Sequence, residues 1–190
     1  MANPYPKKYE TSWKLRDGRT IMLRPIKPED APMWVEMFQK FSEESKRYRF
    51  FQNIKDTPPD VIARYCNINY DKEMAIVAEL TEEKRRKILG VARLVVEPDA
   101  KTGEIAFIVA DPWQGLGLGW KMVKYMIEIC KDKELETIYA LILRDNNRAI
   151  KLVKEMGFSI ESFDQETVRA ILNLREEPKR RQKQVELARQ

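Results

Sequence analysis

The chain has 190 residues, a hydrophobic fraction of 43%, a charged fraction of 34% and a formal net charge of +5. This composition is typical of one folded domain and excludes a disordered chain. The longest apolar run, residues 105–110, is far too short to cross a membrane, and the N-terminus lacks the apolar core of a signal peptide. We therefore expect a cytoplasmic protein without membrane contacts.

Two further features of the composition limit the kinds of catalytic site that the protein can have. The chain has no histidine, which excludes Ser-His-Asp and Cys-His catalysis and leaves carboxylates, tyrosines and backbone dipoles. Cys66 and Cys130 lack the spacing of a metal or redox motif, so we expect no metal site.

Residues 179–190 carry five basic side chains against one glutamate. That bias indicates a basic helical tail at 175–190, and not a nucleic-acid-binding face.

The first predicted elements are an extended arm over residues 1–19, with a turn at Asp17-Gly18, and a short alternating strand at 20–24. Proline and capping signals then predict three helices, at about 30–41, 43–51 and 58–67. The next three segments alternate or run apolar between charged turns, which predicts an antiparallel meander. They are 74–79, 88–96 and 104–110.

The hydrophobic period becomes helical after residue 119. Val123, Met126, Ile127 and Cys130 form one apolar stripe, as expected for an amphipathic helix. A strand at 137–143, a helix at 147–156 and strands near 158–163 and 167–174 complete the pattern. These elements predict a mixed α/β (α+β) fold with a central, mostly antiparallel sheet of about seven strands and helices on both faces.

A glycine-rich turn joins the third strand of the meander to this amphipathic helix. Gly115, Gly117 and Gly119 let the backbone turn tightly and approach a ligand closely. The free N–H groups of the helix start then favour a phosphate or pyrophosphate. Trp120 and Lys121 stand where a P-loop or a dinucleotide fingerprint requires other residues. The spacing fits Gln-x-x-Gly-x-Gly, beginning at Gln114.

At these residues the sequence resembles the GNAT acetyltransferases, whose coenzyme A site is built on Gln/Arg-x-x-Gly-x-Gly/Ala. A second family element, N-x-x-A followed by G-F, matches Asn146, Ala149 and Gly157-Phe158. The N-terminal third, including residues 15–34 and 41–51, resembles the acetyltransferase domain of Pat-type protein lysine acetyltransferases of bacteria and archaea. The resemblance implies a GNAT domain at 20–174.

The resemblance also implies acetyl-CoA as the cofactor and assigns a role to several segments. The backbone of residues 116–120 would hold the pyrophosphate, residues 108–110 would pair with the pantetheine arm, and Asn146 would lie near it. The implied cofactor-binding set is Ile108, Val109, Ala110, Gln114, Gly115, Leu116, Gly117, Leu118, Gly119, Trp120 and Asn146. From charge alone, Arg148 and Lys151 are candidates for the charged end of the cofactor.

A lysine acceptor titrates near 10.4 and must lose a proton before it attacks a thioester. Glu104 is the candidate general base, because it resembles the family's catalytic glutamate and shares a strand face with Ala106 and Ile108. The alternative is a surface glutamate after a turn. Many family members place a tyrosine, thought to protonate the departing thiolate, where this chain has Val153. Tyr139 is a candidate replacement, although core packing explains it equally well.

Three functions are consistent with these residues. The first is transfer of acetyl to a lysine of a protein, such as a metabolic enzyme or a DNA-binding protein, by direct attack. The second is acetylation of small amines or N-terminal α-amines. The third is a non-catalytic acyl-CoA-binding regulatory module, favoured by Val153. We expect a monomer or homodimer that does not contact nucleic acid directly.

Overall fold

The computed structural model of the protein describes residues 4–52 and 54–175. The predicted tail at 175–190 therefore lies outside the described residues apart from Arg175. No helix within the described ranges is both long enough and apolar enough to cross a bilayer.

A single mixed sheet of eight strands organises the described residues, in the order β1-β2-β3-β4-β5-β6-β8-β7. All neighbouring strands are antiparallel except β5 and β6. The strands are β1 (Thr11–Lys14), β2 (Thr20–Pro25), β3 (Glu73–Glu82), β4 (Arg85–Val96), β5 (Thr102–Val109), β6 (Thr137–Leu143), β7 (Ser159–Ser162) and β8 (Thr167–Asn173). The predicted mostly antiparallel mixed sheet is confirmed.

The eighth strand, one more than the sequence predicts, lies in the segment expected to be an extended arm. β1 pairs with β2 from Thr11 opposite Leu23 to Lys14 opposite Thr20, around the predicted turn. Tyr9 and Leu15, which flank β1, are buried in the core. Four residues are too few to show a clear alternation, so the arm becomes a strand through its partner and its buried flanks.

Five α-helices cover the two faces of the sheet in the described residues: α1 (Ala31–Phe38), α2 (Glu43–Phe50), α3 (Pro59–Cys66), α4 (Leu118–Asp132) and α5 (Asn147–Glu155). Alternate residues of β3 show the two layers, because successive strand side chains point to opposite faces. Ile76 packs in the cluster that includes α4, whereas Val77 packs in the cluster that includes α1 and α3. The predicted helices on both faces are therefore confirmed.

Both cysteines lie in these cores. Burial raises the pKa of the Cys66 thiol to about 11 and that of the Cys130 thiol to about 12. At neutral pH both side chains are therefore protonated, packed thiols and not nucleophiles.

Candidate functional site

A cavity of about 710 Å³ opens where β5 and β6 separate. In the described structure these two parallel strands pair only over Thr102–Glu104 and Thr137–Tyr139. Beyond that point the cavity is lined by β5 on one side and by Ala140–Ile142 of β6 on the other. Glu104 therefore lies at the apex of the opening, with an unpaired edge of β5 leading away from it.

The predicted glycine turn forms one wall of this cavity. Gly115 and Gly117 both have positive φ, +81° and +84°, which side chains other than glycine tolerate poorly. Gly117 is the N-cap of α4, and no side chain in the described residues caps this helix. Its first N–H groups are therefore available to an anion, as the sequence predicts.

Two arginines flank the glycine turn. Arg16 Nε lies 3.6 Å from the position that a Cβ on Gly117 would occupy, and Arg148 Nη2 lies 3.9 Å from the corresponding position on Gly115. Arg16 reaches the cavity from the β1–β2 turn, about a hundred positions earlier in the chain, so the sequence contains no signal for it. Arg148 and Lys151, proposed from charge alone, line the cavity from α5.

Gln114 links three elements around the site. Its amide nitrogen Nε2 donates to Val109 O at 3.0 Å and to Ser45 Oγ at 3.1 Å. Its oxygen Oε1 accepts from Arg148 Nη1 at 2.6 Å. The side chain thus holds the end of β5, α2 and α5 together, a role that the motif spacing alone did not indicate.

Most of the predicted cofactor-binding residues line the cavity: Ile108, Val109, Gln114, Gly115, Gly117, Gly119, Trp120 and Asn146. Asn146 caps α5 by accepting from Ala149 N at 3.1 Å, which leaves its amide nitrogen for other partners. Ala110 and Leu118 are buried in the two cores instead, and Leu116 is half-buried. The whole predicted cofactor-binding set stays a prediction, and for these three residues it depends on their backbone atoms.

Glu104 is half-buried and lines the cavity. Tyr139, its partner in the β5–β6 pairing, places its hydroxyl 3.5 Å from Glu104 Oε2. The same hydroxyl donates to Glu97 Oε1 at 2.5 Å. Burial, and then the hydrogen bond to Glu97, raise the pKa of Tyr139 above its usual value. Tyr139 therefore holds its proton tightly toward Glu97, and its hydroxyl oxygen lies at the outer limit of hydrogen-bond distance from Glu104.

Val153 is fully buried in the core beneath α5. The α5 residues that line the cavity are at 147, 148, 149, 151, 152 and 155. A side chain at position 153 therefore packs inward in this protein.

Residues 47–51, at the end of α2, contain two arginines and three aromatic residues. Some of these side chains pack in the protein and others line the cavity. Phe50 packs against the core, while Phe51 is exposed at the cavity. Arg47 pairs with Asp145 at 2.7 Å and so holds α2 to the loop between β6 and α5. Arg49 lines the cavity with Glu104. Basic and aromatic residues alternate over residues 47–51, and that alternation alone does not show which arginine faces inward.

This combination of a separated parallel strand pair, an uncapped glycine-rich helix start and a carboxylate at the apex is that of an acyl-CoA-dependent transferase. The family model of the Acetyltransferase (GNAT) family matches residues 33–158. The chain therefore belongs to the GNAT acetyltransferase family, and it is a GNAT-type N-acetyltransferase with acetyl-CoA as its cofactor.

Three relatives illustrate the similarity. An acetyltransferase of Pseudomonas aeruginosa is 26% identical over 144 residues, which cover 76% of this chain and 77% of that protein. Acetyltransferase Pat of Mycolicibacterium smegmatis is 27% identical over 145 residues, which cover 76% of this chain but 43% of that protein. The crystal structure of the GNAT domain of S. lividans Pat matches with a TM-score of 0.82 and 26% identity, covering 90% of this chain and 99% of that domain.

The residues of the cavity fit acetyl-CoA. The uncapped start of α4, with Arg16 and Arg148 beside it, suits the pyrophosphate, because a helix N-terminus and guanidinium groups both favour anions. The unpaired edge of β5 beyond Glu104 offers backbone groups to the amides of the pantetheine arm. The thioester would then lie toward the apex, where Glu104 is.

Proposed function

We propose that the protein transfers the acetyl group of acetyl-CoA to the ε-amine of a lysine in a protein substrate, with Glu104 as the general base. The observation that carries this proposal is the position of Glu104 at the apex of the β5–β6 opening. The choice of a protein acceptor is supported by the likeness to two proteins named Pat. The predicted cytoplasmic location stays a prediction.

The chain's own residues account for the proton transfer. Bound acetyl-CoA supplies the thioester, and the acceptor arrives as an ammonium group that must lose a proton at neutral pH. Glu104 accepts that proton, and the Tyr139 hydroxyl lies beside its carboxylate at 3.5 Å. An amide bond would form at the amine as the thioester C–S bond breaks. Of the two protons still on the nitrogen, one would stay on the amide and one would pass to the departing sulfur, which leaves as the free thiol.

The test compares wild type with Glu104→Gln in an assay of thiol release and of label transferred from acetyl-CoA to a pool of lysine-bearing proteins. We expect kcat to fall by about 10²–10⁴-fold, the usual contribution of a general base. Acetyl-CoA affinity should be unchanged, because the amide is nearly isosteric. Glu128→Gln, on the exposed face of α4, is the matched control and should retain full activity.

The other outcomes separate the alternatives. Turnover with polyamines or N-terminal α-amines, but with no protein lysine, would replace the proposal with a small-amine or α-amine acetyltransferase. Tight acetyl-CoA binding without turnover of any acceptor, and without an effect of Glu104→Gln, would support a regulatory module. Unchanged kcat in an active Glu104→Gln variant would remove Glu104 from the mechanism.

A further inference from the structure

The positive side chains that line the cavity lie in two regions with different surroundings. Arg16 and Arg148 flank the glycine turn, where the cofactor's phosphates would lie. Arg49 enters from α2 and shares the cavity with Glu104, which marks the acyl-transfer end. A cation at that end is not needed for the phosphates, so it requires another explanation.

Arg49 differs from its arginine neighbours because no carboxylate in the part of the chain that the structure describes forms an ion pair with it. Arg47 pairs with Asp145 at 2.7 Å, and Arg93 pairs with Glu73 at 2.9 Å and donates to Tyr65 O at 2.6 Å. The ion pairs and hydrogen bonds formed within residues 4–52 and 54–175 do not include the Arg49 guanidinium. Arg49 Cζ lies over the ring of Phe50, 5.3 Å from the ring centroid.

The electrostatic surroundings of Arg49 support this contrast. Burial, and then repulsion from Arg93, lower the pKa of the Arg49 guanidinium to about 10, and Glu104 offsets only part of that change. The group is still charged at neutral pH, so the cavity holds a half-buried cation that no ion pair within the described residues neutralises. Such a cation binds a carboxylate favourably, because the desolvation cost has already been met in the free protein.

We propose that Arg49 is a carboxylate-binding subsite that selects acceptors with an acidic residue beside the reactive lysine. The cavity presents Glu104 and Arg49 together, a negative and a positive group, and the complement of that pair is one ligand with an ammonium and a carboxylate. A planar guanidinium binds a carboxylate through two parallel hydrogen bonds, which gives geometric selectivity as well as charge. This inference rests on the proposed function, since it concerns the acceptor of the same reaction.

The test uses a pair of peptides that differ only in Asp or Asn next to the lysine. Wild type should acetylate the Asp peptide with a kcat/KM about tenfold higher, within the range of one charge-assisted hydrogen-bonded pair. Arg49→Met should reduce that ratio to about one, and Arg49→Lys should give an intermediate ratio. Arg64→Met removes an exposed arginine of α3 that does not line the cavity, so it should keep the wild-type ratio.

A ratio near one in wild type, or a preference retained in folded Arg49→Met, would overturn the proposal. It would also be overturned if Arg49→Met changed the relative use of succinyl-CoA and butyryl-CoA and left the peptide ratio unchanged. In that case the carboxylate would belong to the acyl group.

Binding of the two peptides to the protein loaded with CoA separates this inference from the proposed function. If no peptide is acetylated, the function proposal fails, but the ratio of the two dissociation constants in wild type and Arg49→Met still decides the role of Arg49. Thermal melts of each variant establish that a lost preference is not lost folding.

Discussion

At the residue scale, the candidate base is held by its neighbours and not only exposed to the cavity. Tyr139 touches Glu104 and donates to Glu97, so two carboxylates share one phenol. Removing the hydroxyl leaves Glu97 without this donor and Glu104 without the hydroxyl that lies 3.5 Å from its Oε2. Tyr139 is therefore a positioning residue whose loss should affect kcat more than KM.

Tyr139→Phe should lower kcat several-fold, and the loss of one partly buried hydrogen bond, about 1 kcal/mol, should lower the Tm by about 2–4 °C at pH 8. Tyr125→Phe is the matched control, because its half-buried hydroxyl donates to Tyr9 O away from the cavity. It should cost similar stability with no change in kcat. Equal kcat losses in the two variants would contradict a specific role for Tyr139.

The raised pKa of Tyr139 also predicts how stability depends on pH. The folded protein binds the phenol proton more tightly than the unfolded chain, whose tyrosines titrate near 10. This stabilisation is fully present below about pH 10 and is lost as the pH rises toward the higher folded pKa. Thermal melts between about pH 8 and 11 should therefore show a steeper fall in Tm for wild type than for Tyr139→Phe. Parallel curves would contradict the prediction.

At the scale of elements, the start of α4 combines a backbone that only glycine adopts easily with a place for an anion. Gly117→Ala would add a Cβ at positive φ and 3.6 Å from Arg16 Nε, where the pyrophosphate is expected. We expect acetyl-CoA to bind about tenfold more weakly by calorimetry, together with a stability loss of about 1 kcal/mol from strain.

Gly157→Ala separates strain from binding in that experiment. Gly157 also has a positive φ, +94°, but it ends α5 outside the cavity lining. It should lose similar stability and bind acetyl-CoA as wild type does. Weakened binding in both variants would show that strain alone explains the effect of Gly117→Ala.

A buried network of ion pairs connects the sheet to the start of α1, on the face of the sheet that α1 and α3 cover. Arg24 of β2 makes two contacts of 2.7 Å to Asp30, which precedes α1, and one of 2.6 Å to Glu79 of β3. All three side chains are less than a tenth exposed. Asp30 Oδ2 also accepts from Lys27 N, which fixes the turn into the helix layer.

Arg24→Met should destabilise the protein by about 3–5 kcal/mol, because it leaves the buried Asp30 without its cation and leaves Glu79 with the exposed Arg86 at 3.7 Å. Urea unfolding measures the loss. Arg19→Met is the control, because Arg19 forms its ion pairs with Asp17 and Glu82 at partly exposed side chains, and exposed pairs contribute about 0–1 kcal/mol. A loss below about 1 kcal/mol for Arg24→Met would show that the network adds little stability.

At the scale of the whole molecule, the sheet remains continuous while two of its parallel strands separate. β6 can leave β5 beyond Tyr139 because β8 pairs with β6 along its other edge, from Thr137 to Leu143. The gap between the two strands is bounded by α2 on one face of the sheet and by the glycine turn and α5 on the other. A ligand can therefore meet Glu104 in a cavity bounded by both helix layers.

Local patterns in the sequence were sufficient to predict the order of helices and strands and the phosphate-binding end of the site. Alternation and helical periodicity depend on neighbouring residues, so they located seven strands and the amphipathic helix α4. Positive φ and the N–H groups of a helix start are also local properties. For that reason Gly115, Gly117 and Gly119 already indicated an anion site in the sequence.

Contacts between segments that are distant in the chain could be identified only from the tertiary structure. Arg16, Arg49 and Tyr139 approach the site from three elements far apart in the chain, and no local pattern encodes which of their faces meet. β1 became a strand only through β2, and position 153 proved to face the core. Local periodicity determines which residues form each element, whereas the packing of elements decides which side chains surround the acyl-transfer end.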